Sequence, residues 1–293
     1  VLSRLYHRIP LNTRYTASNR RGKLVRIDTK STLRESSTPM PPINYQFSRR
    51  KIGQLNCGVV HPQSSELPIA SLALFLHGYG AGGDDLVPLA QELLRAAELD
   101  QATMLVFPEA PLSLEELGMP GARAWWMLSI QRLLSAIENG QYELVRQEEP
   151  AGIDDAREML SEVIRLLLEE TNLTASNLLL SGFSQGAMLS TDVACRGLET
   201  PPAALALFSG CMICERVWKP NMQRLRETKI LQSHGSVDSI LPLQTGKWLT
   251  EALQQANCEV EFIEFYGDHT IPPEAIRQCA QLLKEITNGP QSV

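Results

Sequence analysis

Three residues of this chain carry side chains suited to nucleophilic acyl transfer: Ser184, Asp238 and His269. A serine hydroxyl is a weak nucleophile unless a base takes its proton during attack. An imidazole with a pKa near about 6.5 can both remove that proton and return it. A carboxylate behind the ring holds its tautomer and stabilises the imidazolium. Each of the three follows an apolar run that reads as a strand, in the order Ser…Asp…His. The gaps leave room for roughly one or two strand–helix units, so the side chains can gather at one edge of a sheet. Other candidates fit less well. Asp268 adjoins His269, but consecutive side chains point apart. His77 and His234 each precede a glycine at a strand end and read as loop-shaping residues, while His7 and His61 are assigned no role.

The setting of Ser184 is the strongest local signal. Asn177 to Ser181 is short and apolar enough for a buried strand, Gly182-Phe183-Ser184-Gln185-Gly186 follows, and Ala187-Met188-Leu189 opens a helix. Strand, tight turn and helix put a serine at a strained corner, exposed at the helix N-terminus where free N–H groups favour negative charge. Gly182 and Gly186 are expected where side chains would collide with the neighbouring strand and helix. Gly-x-Ser-x-Gly alone is a weak pattern; its flanks give it weight.

A second loop has comparable character. Ile69 to Leu76 reads as a fully sandwiched strand and ends in His77-Gly78-Tyr79-Gly80-Ala81-Gly82-Gly83-Asp84-Asp85, ahead of an amphipathic helix over about 85–97. Neither Gly-x-x-x-x-Gly-Lys nor Gly-x-Gly-x-x-Gly fits these glycines, which disfavours a phosphate or dinucleotide loop. A backbone bent to aim an N–H at a substrate oxygen accounts for them better.

The remaining elements alternate. An opening strand pair over Ile43 to Val60 and a polar turn at His61–Ser65 precede the Ile69 strand. Further strands are expected at Met104–Phe107, Ala203–Phe208, Ile230–Ser233 and Val260–Tyr266. Helices are expected over Ile153–Thr171, from Ser184 to about Cys195, over about Leu243–Ala256 and at the end of the chain. This is an α/β pattern with a mostly parallel sheet flanked by helices. Residues 112–150, with Trp125-Trp126-Met127 and a short helix expected near Ser129–Glu138, form a long lid-like insertion between strand and helix. For at least one of the two tryptophans, a plain core position is the stronger reading.

Composition sets the limits. With 293 residues and 43% hydrophobic content, the chain has ample core-forming residues. No uncharged apolar stretch approaches the ~18 residues of a membrane span, so stable membrane insertion is not expected. Residues 1–51 hold twelve Lys/Arg against two Asp/Glu, a net of +10 that leaves the rest at −16 within a whole-chain charge of −6. That acidic body is a poor partner for nucleic acid. Six cysteines without framework spacing fit a reducing, cytoplasmic setting, and Cys211-x-x-Cys214 lacks two further ligands nearby for a zinc site; no metal or cofactor is expected. Residues 1–42 read as a basic, disordered extension before a domain over 43–290. An organelle transit peptide and an upstream-translated segment both fit the first 39 residues, and activity is expected to survive deletion to Met40.

Taken together, several stretches resemble the phospholipase/carboxylesterase family of α/β-hydrolases, which includes the acyl-protein thioesterases. They are Leu76-His77-Gly78-Tyr79-Gly80, Phe107-Pro108-Glu109-Ala110-Pro111, Ala124-Trp125-Trp126, Gly182-Phe183-Ser184-Gln185-Gly186-Ala187, His234-Gly235-Ser236-Val237-Asp238 and His269-Thr270-Ile271-Pro272-Pro273-Glu274. The resemblance implies an α/β-hydrolase fold and the triad Ser184, Asp238 and His269. It implies oxyanion donors at the Tyr79 and Gln185 N–H groups, and a substrate wall that includes Tyr79, Trp125 and Trp126. The implied substrate is a small-molecule ester or thioester, and the oligomeric state, monomer or homodimer, stays open. The long 112–150 segment and the basic extension depart from the thioesterases and favour a plain carboxylesterase. Acyl-protein thioesterase or lysophospholipase-type activity is the alternative, with a non-catalytic ligand-binding relative behind it.

Overall fold

The computed structural model describes residues 43–128, 135–136 and 139–289. The expected extension at 1–42 and most of the helix expected near Ser129–Glu138 lie outside the described residues. Among the described residues there are ten strands: β1 Tyr45–Ile52, β2 Leu55–Pro62, β3 Ile69–Leu76, β4 Ala102–Pro108, β5 Leu112–Ser113, β6 Arg123–Ala124, β7 Leu178–Phe183, β8 Ala204–Phe208, β9 Lys229–Gly235 and β10 Val260–Phe265. Eight form one sheet in the order β1-β2-β4-β3-β7-β8-β9-β10. β1 and β2 pair antiparallel, as do β2 and β4, and every later pairing is parallel. β5 and β6 make a separate small hairpin.

The apolar runs explain the layering. A strand covered on both faces needs no polar alternation, and β3 is buried along almost its whole length. Leu72, Leu74 and Leu76 join one core cluster with Leu178, Leu180, Leu205 and Leu207. The intervening Ala73 and Phe75, with Leu179, Ala206 and Phe208, face a second. The first cluster is closed by α3 (Ile153–Thr171), following α1 (Leu89–Ala97) and α2 (Tyr142–Gln147) in the chain. Ile153, Ala156, Leu160, Val163, Ile164 and Leu167 are the buried stripe of α3, at the spacing expected of one helix face. The second cluster is closed by α1 and by α7 (Pro273–Asn288), the last helix after α4 (Gln185–Asp192), α5 (Glu215–Met222) and α6 (Leu243–Gln255). Truncating a central leucine such as Leu180 to alanine would cost roughly 2–5 kcal/mol.

Several elements differ from the sequence reading: α1 begins at Leu89 rather than about residue 85, and α2 and the β5–β6 hairpin were not expected. β2 runs through His61 and Pro62 because His61 pairs with Gln46 at the sheet edge, so the turn begins later than the polar residues suggest. The helix after Ser184 is regular only to Asp192 and continues as one wide π turn over Val193–Gly197. At the join, Asp192 is fully buried and its carboxylate accepts from Trp218 Nε1 at 2.7 Å and Arg196 Nε at 2.7 Å. Helix α5, with Pro220 inside it, carries no clear sequence signal and is held by the same Asp192–Trp218 bond. Among the described residues no helix is long and apolar enough to cross a membrane.

Candidate active site

Parallel strands β7, β9 and β10 end side by side with β8, and the loops after them carry the candidate residues. Ser184 follows β7 directly and has φ 55° and ψ −118°, outside the regions open to ordinary residues. Such a conformation costs about 1–3 kcal/mol and persists only where the surroundings enforce it. The Ser184 N–H donates to the Phe208 carbonyl at 2.8 Å, and its own carbonyl accepts from Ala187 and Met188 at 3.0 and 3.1 Å. A Cβ on Gly182 would stand 2.3 Å from the Gly186 carbonyl carbon, and one on Gly186 would stand 2.1 Å from the Leu76 carbonyl oxygen. Both glycines are therefore demanded by backbone rather than by side chains.

Asp238 and His269 are joined directly. His269 Nδ1 lies 2.7 Å from Asp238 Oδ2, and the carboxylate is buried. Beside that carboxylate, Nδ1 carries the ring proton, which leaves Nε2 as the nitrogen free to take another. The other carboxylate oxygen, Oδ1, accepts from the Ile240 and Leu241 N–H groups at 2.9 and 2.8 Å, so both oxygens are held. His269 reaches the serine corner through Phe183, whose ring lies 4.8 Å from the imidazole, centre to centre. Three strand ends thus bring Ser184, His269 and Asp238 into one neighbourhood.

The competitors take other roles. Asp268 accepts at Oδ1 from Ser239 N and Oγ and from the His269 N–H, at 2.8, 2.9 and 2.8 Å. It therefore ties the histidine loop to the aspartate loop and does not back the ring, and these bonds hold its carboxyl below the ordinary carboxylate range. Asp268→Ala should lower kcat up to about tenfold with little change in melting temperature, because the bonds are exposed and serve only loop position. An unchanged kcat on an aryl ester would contradict that role. His77 Nε2 accepts from the Ala110 N–H at 3.1 Å and its carbonyl accepts from Trp125 Nε1 at 2.9 Å, which makes it a loop-shaping residue.

The glycine-rich loop lies against this corner. A Cβ on Gly78 would meet Phe183 and Ser184 side chains at 3.2 and 3.3 Å. The Gly80 N–H donates to Arg123 O at 2.9 Å and the Arg123 N–H donates to Ala81 O at 3.0 Å. The Arg123 guanidinium in turn binds the Ala110 and Pro111 carbonyls. Arg123, absent from the sequence reading, is thus the clamp that sets the loop's path; nothing in its neighbours along the chain announces this. Among the described residues the Tyr79 N–H has no backbone acceptor, and the Gln185 N–H is the first of α4, where a helix supplies no acceptor; both suit donors kept for a substrate oxygen.

Trp125 and Trp126 depart from the expected wall. They are 1% and 0% exposed and belong to the core, so neither faces an open cleft. Large rings packed this tightly gain more from burial than a half-exposed wall would allow. Their link to the site is through the backbone: Gln185 Oε1 accepts from Trp125 N at 3.0 Å and Gln185 Nε2 donates to Trp126 O at 2.8 Å. Tyr79 is half-buried on the small cluster of Leu114, Ala122 and Ala124, and burial raises its phenol pKa. Leu112, Leu117, Met127 and Leu144 are the exposed large apolar side chains among the described residues of the 112–150 segment. Among the described residues no group of three or more metal-ligating side chains occurs, and the six cysteines are buried thiols.

Burial lowers the pKa of both His77 and His234. In the unfolded chain each would titrate near 6.5, so the unfolded state binds more protons once the pH drops to that value. Their contribution to stability is full above 6.5 and is lost as the pH falls from there through the folded values. The melting temperature should therefore decline as the pH falls below 6.5; a flat calorimetric profile there would contradict it.

The sheet order, the strained serine and the Asp–His pair define an α/β-hydrolase with a serine-hydrolase site. Residues 58–287 match the family model described as Phospholipase/Carboxylesterase. The chain belongs to that family, and it is an ester- or thioester-cleaving hydrolase. Among curated relatives, acyl-protein thioesterase 1 homolog 1 of Dictyostelium discoideum is 25% identical over 70% of this chain and 86% of its own length. Acyl-protein thioesterase 1 of Emericella nidulans is 24% identical over 73% and 89%. Among solved structures, esterase PE8 superposes with a TM-score of 0.59 at 26% identity, covering 75% of this chain and 94% of its own. A carboxylesterase from Mesorhizobium loti gives 0.62 at 15% identity over 81% and 98%, a likeness of fold.

Proposed function

We propose that this chain cleaves carboxylic esters of small to medium acyl groups through an acyl-Ser184 intermediate, with thioesters as secondary substrates. The observation that carries the reading is the 2.7 Å contact of His269 Nδ1 with buried Asp238, beside a serine held at positive φ. His269 Nε2 takes the Ser184 proton as the hydroxyl oxygen attacks the carbonyl carbon, then gives it to the departing alkoxide or thiolate. Asp238 stabilises the imidazolium formed between those steps. The Tyr79 and Gln185 N–H groups face the tetrahedral oxyanion, each such donor being worth roughly 2.7–4 kcal/mol in the transition state. Water, activated by the same imidazole, then releases the acid.

Thioester cleavage on acylated proteins is the second reading, favoured by the names of the curated relatives. A series of nitrophenyl esters of graded chain length, run beside an acyl thioester, separates the two. Highest kcat/KM on short esters supports the first reading; highest kcat/KM on a long-chain thioester replaces it with the second. A fluorophosphonate probe should label Ser184 in either case, and failure to label it would remove the triad assignment itself.

A further inference from the structure

His234 lies on β9 four residues before Asp238 and is fully buried, and the mechanism above does not use it. Its Nε2 stands 2.7 Å from the Leu241 carbonyl oxygen. A carbonyl can only accept, so Nε2 carries the proton and the ring is the Nε2–H tautomer. The same nitrogen lies 3.4 Å from Asp238 Oδ2, the oxygen that His269 uses, too long for a full hydrogen bond but close enough for its positive end to act on the carboxylate. Leu241 closes the circuit: its N–H donates to Asp238 Oδ1 at 2.8 Å while its carbonyl is held by His234. The far side of the ring is fitted as tightly. Nδ1 has no hydrogen bond, although the Gly210 backbone lies near enough to favour a proton there. A Cβ on Gly246 would stand 2.5 Å from Nδ1. α6 thus presents a glycine where the imidazole needs the space.

We propose that His234 is the positioning residue of the acidic arm. Its Nε2–H holds the 238–241 turn in the geometry that points Asp238 Oδ2 at His269, and tempers the charge that oxygen presents to it. The residue would act through Asp238 and never touch the substrate. Burial, which disfavours the charged ring, outweighs the Leu241 carbonyl and the Asp238 carboxylate and keeps it neutral at neutral pH. The titratable groups around Asp238 are His234 from β9, His269 from the loop after β10, the buried Cys211 thiol from the loop after β8, and Asp268 beside His269. Of these, His234 grips the turn at Leu241 and Asp268 at Ser239.

The inference rests on the triad reading, which fluorophosphonate labelling of Ser184 in the wild-type preparation tests separately. His234→Leu keeps apolar volume and removes the donor; His234→Gln returns an N–H near the Nε2 position. The leucine variant should lose about tenfold in kcat on a nitrophenyl ester, the scale of a hydrogen bond to a charged network, with KM nearly unchanged. The acid limb of its kcat/KM profile should move to higher pH, because Asp238 then presents an untempered charge that favours the His269 imidazolium. The glutamine variant should recover most of the lost kcat. Wild-type kcat and an unmoved limb in the leucine variant, or equal losses in both variants, would overturn the proposal. Nitrogen-15 NMR of the histidines in the wild-type protein keeps the test open even if the leucine variant fails to fold. The Nε2–H tautomer at His234 is required, and an Nδ1–H tautomer or an imidazolium at neutral pH would overturn the assignment.

Discussion

Ser184→Ala will reduce kcat on an aryl ester by on the order of 10⁴-fold or more, with the fold intact. The size follows from how a nucleophile, base and acid act as a unit: removing one member costs nearly as much as removing all. What survives is the contribution of the oxyanion donors and of binding, which raise the rate over water by roughly 10³–10⁴ without any covalent step. Stability should not fall, and a small gain is expected. The hydroxyl is not needed to shape the corner, since Ser184 is held by its backbone, through Phe208 O and the first turn of α4. Alanine still carries the strain of φ 55°, so the strain itself is not released. Circular dichroism melting with steady-state kinetics would check both halves. A variant retaining a tenth or more of wild-type kcat would mean that another group is the nucleophile.

Gly186→Ala should produce the largest loss of stability of any one-methyl change at this site. The added carbon would stand 2.1 Å from Leu76 O, 2.6 Å from Leu76 C and 2.7 Å from His77 O. All three are backbone atoms at the end of a central strand, so no rotamer change can relieve the contact. Either α4 slides away from β3 or the β3 end shifts, and both disturb the Gly78 contact with Ser184. Overpacking of ordinary core sites costs about 1–3 kcal/mol; a backbone clash of this depth should exceed about 3 kcal/mol. Gly118→Ala is the control. It lies at φ +74° with nothing within 4 Å of the added carbon, so its cost is the left-handed backbone alone, about 1–2 kcal/mol. Urea denaturation of the two variants separates clash from strain. Equal losses would show that the approach of α4 to β3 is looser than described.

Much of the scaffold was legible along the chain because its signals are local. The run Ile69–Leu76 is apolar at every covered position except Ser71, and Ile153–Thr171 carries one buried stripe, so period and length identify a central strand and a long helix. The elbow was legible for a related reason. A serine between two glycines, with a strand before it and a helix after it, encodes a close approach of backbone that only residues without Cβ allow. The chain order of Ser184, Asp238 and His269, together with the motifs around them, pointed to the family that the match over residues 58–287 establishes.

What the chain alone did not hold is every relation that depends on two segments distant in sequence. Trp125 and Trp126 have the composition of a substrate wall, and only packing against the core shows that both rings are buried and that Gln185 reads their backbone instead. Arg123 looks like any surface cation until its bonds to Gly80, Ala81, Ala110 and Pro111 make it the clamp on the glycine-rich loop. Asp268 and His234 both lie close in sequence to Asp238 and His269, yet one ties loops together while the other grips the turn that holds Asp238. Residue type and spacing along the chain determine which groups can do chemistry and which elements carry them. Which groups face each other is decided by side-chain packing and by where each buried donor finds its acceptor, and those are properties of the folded molecule alone.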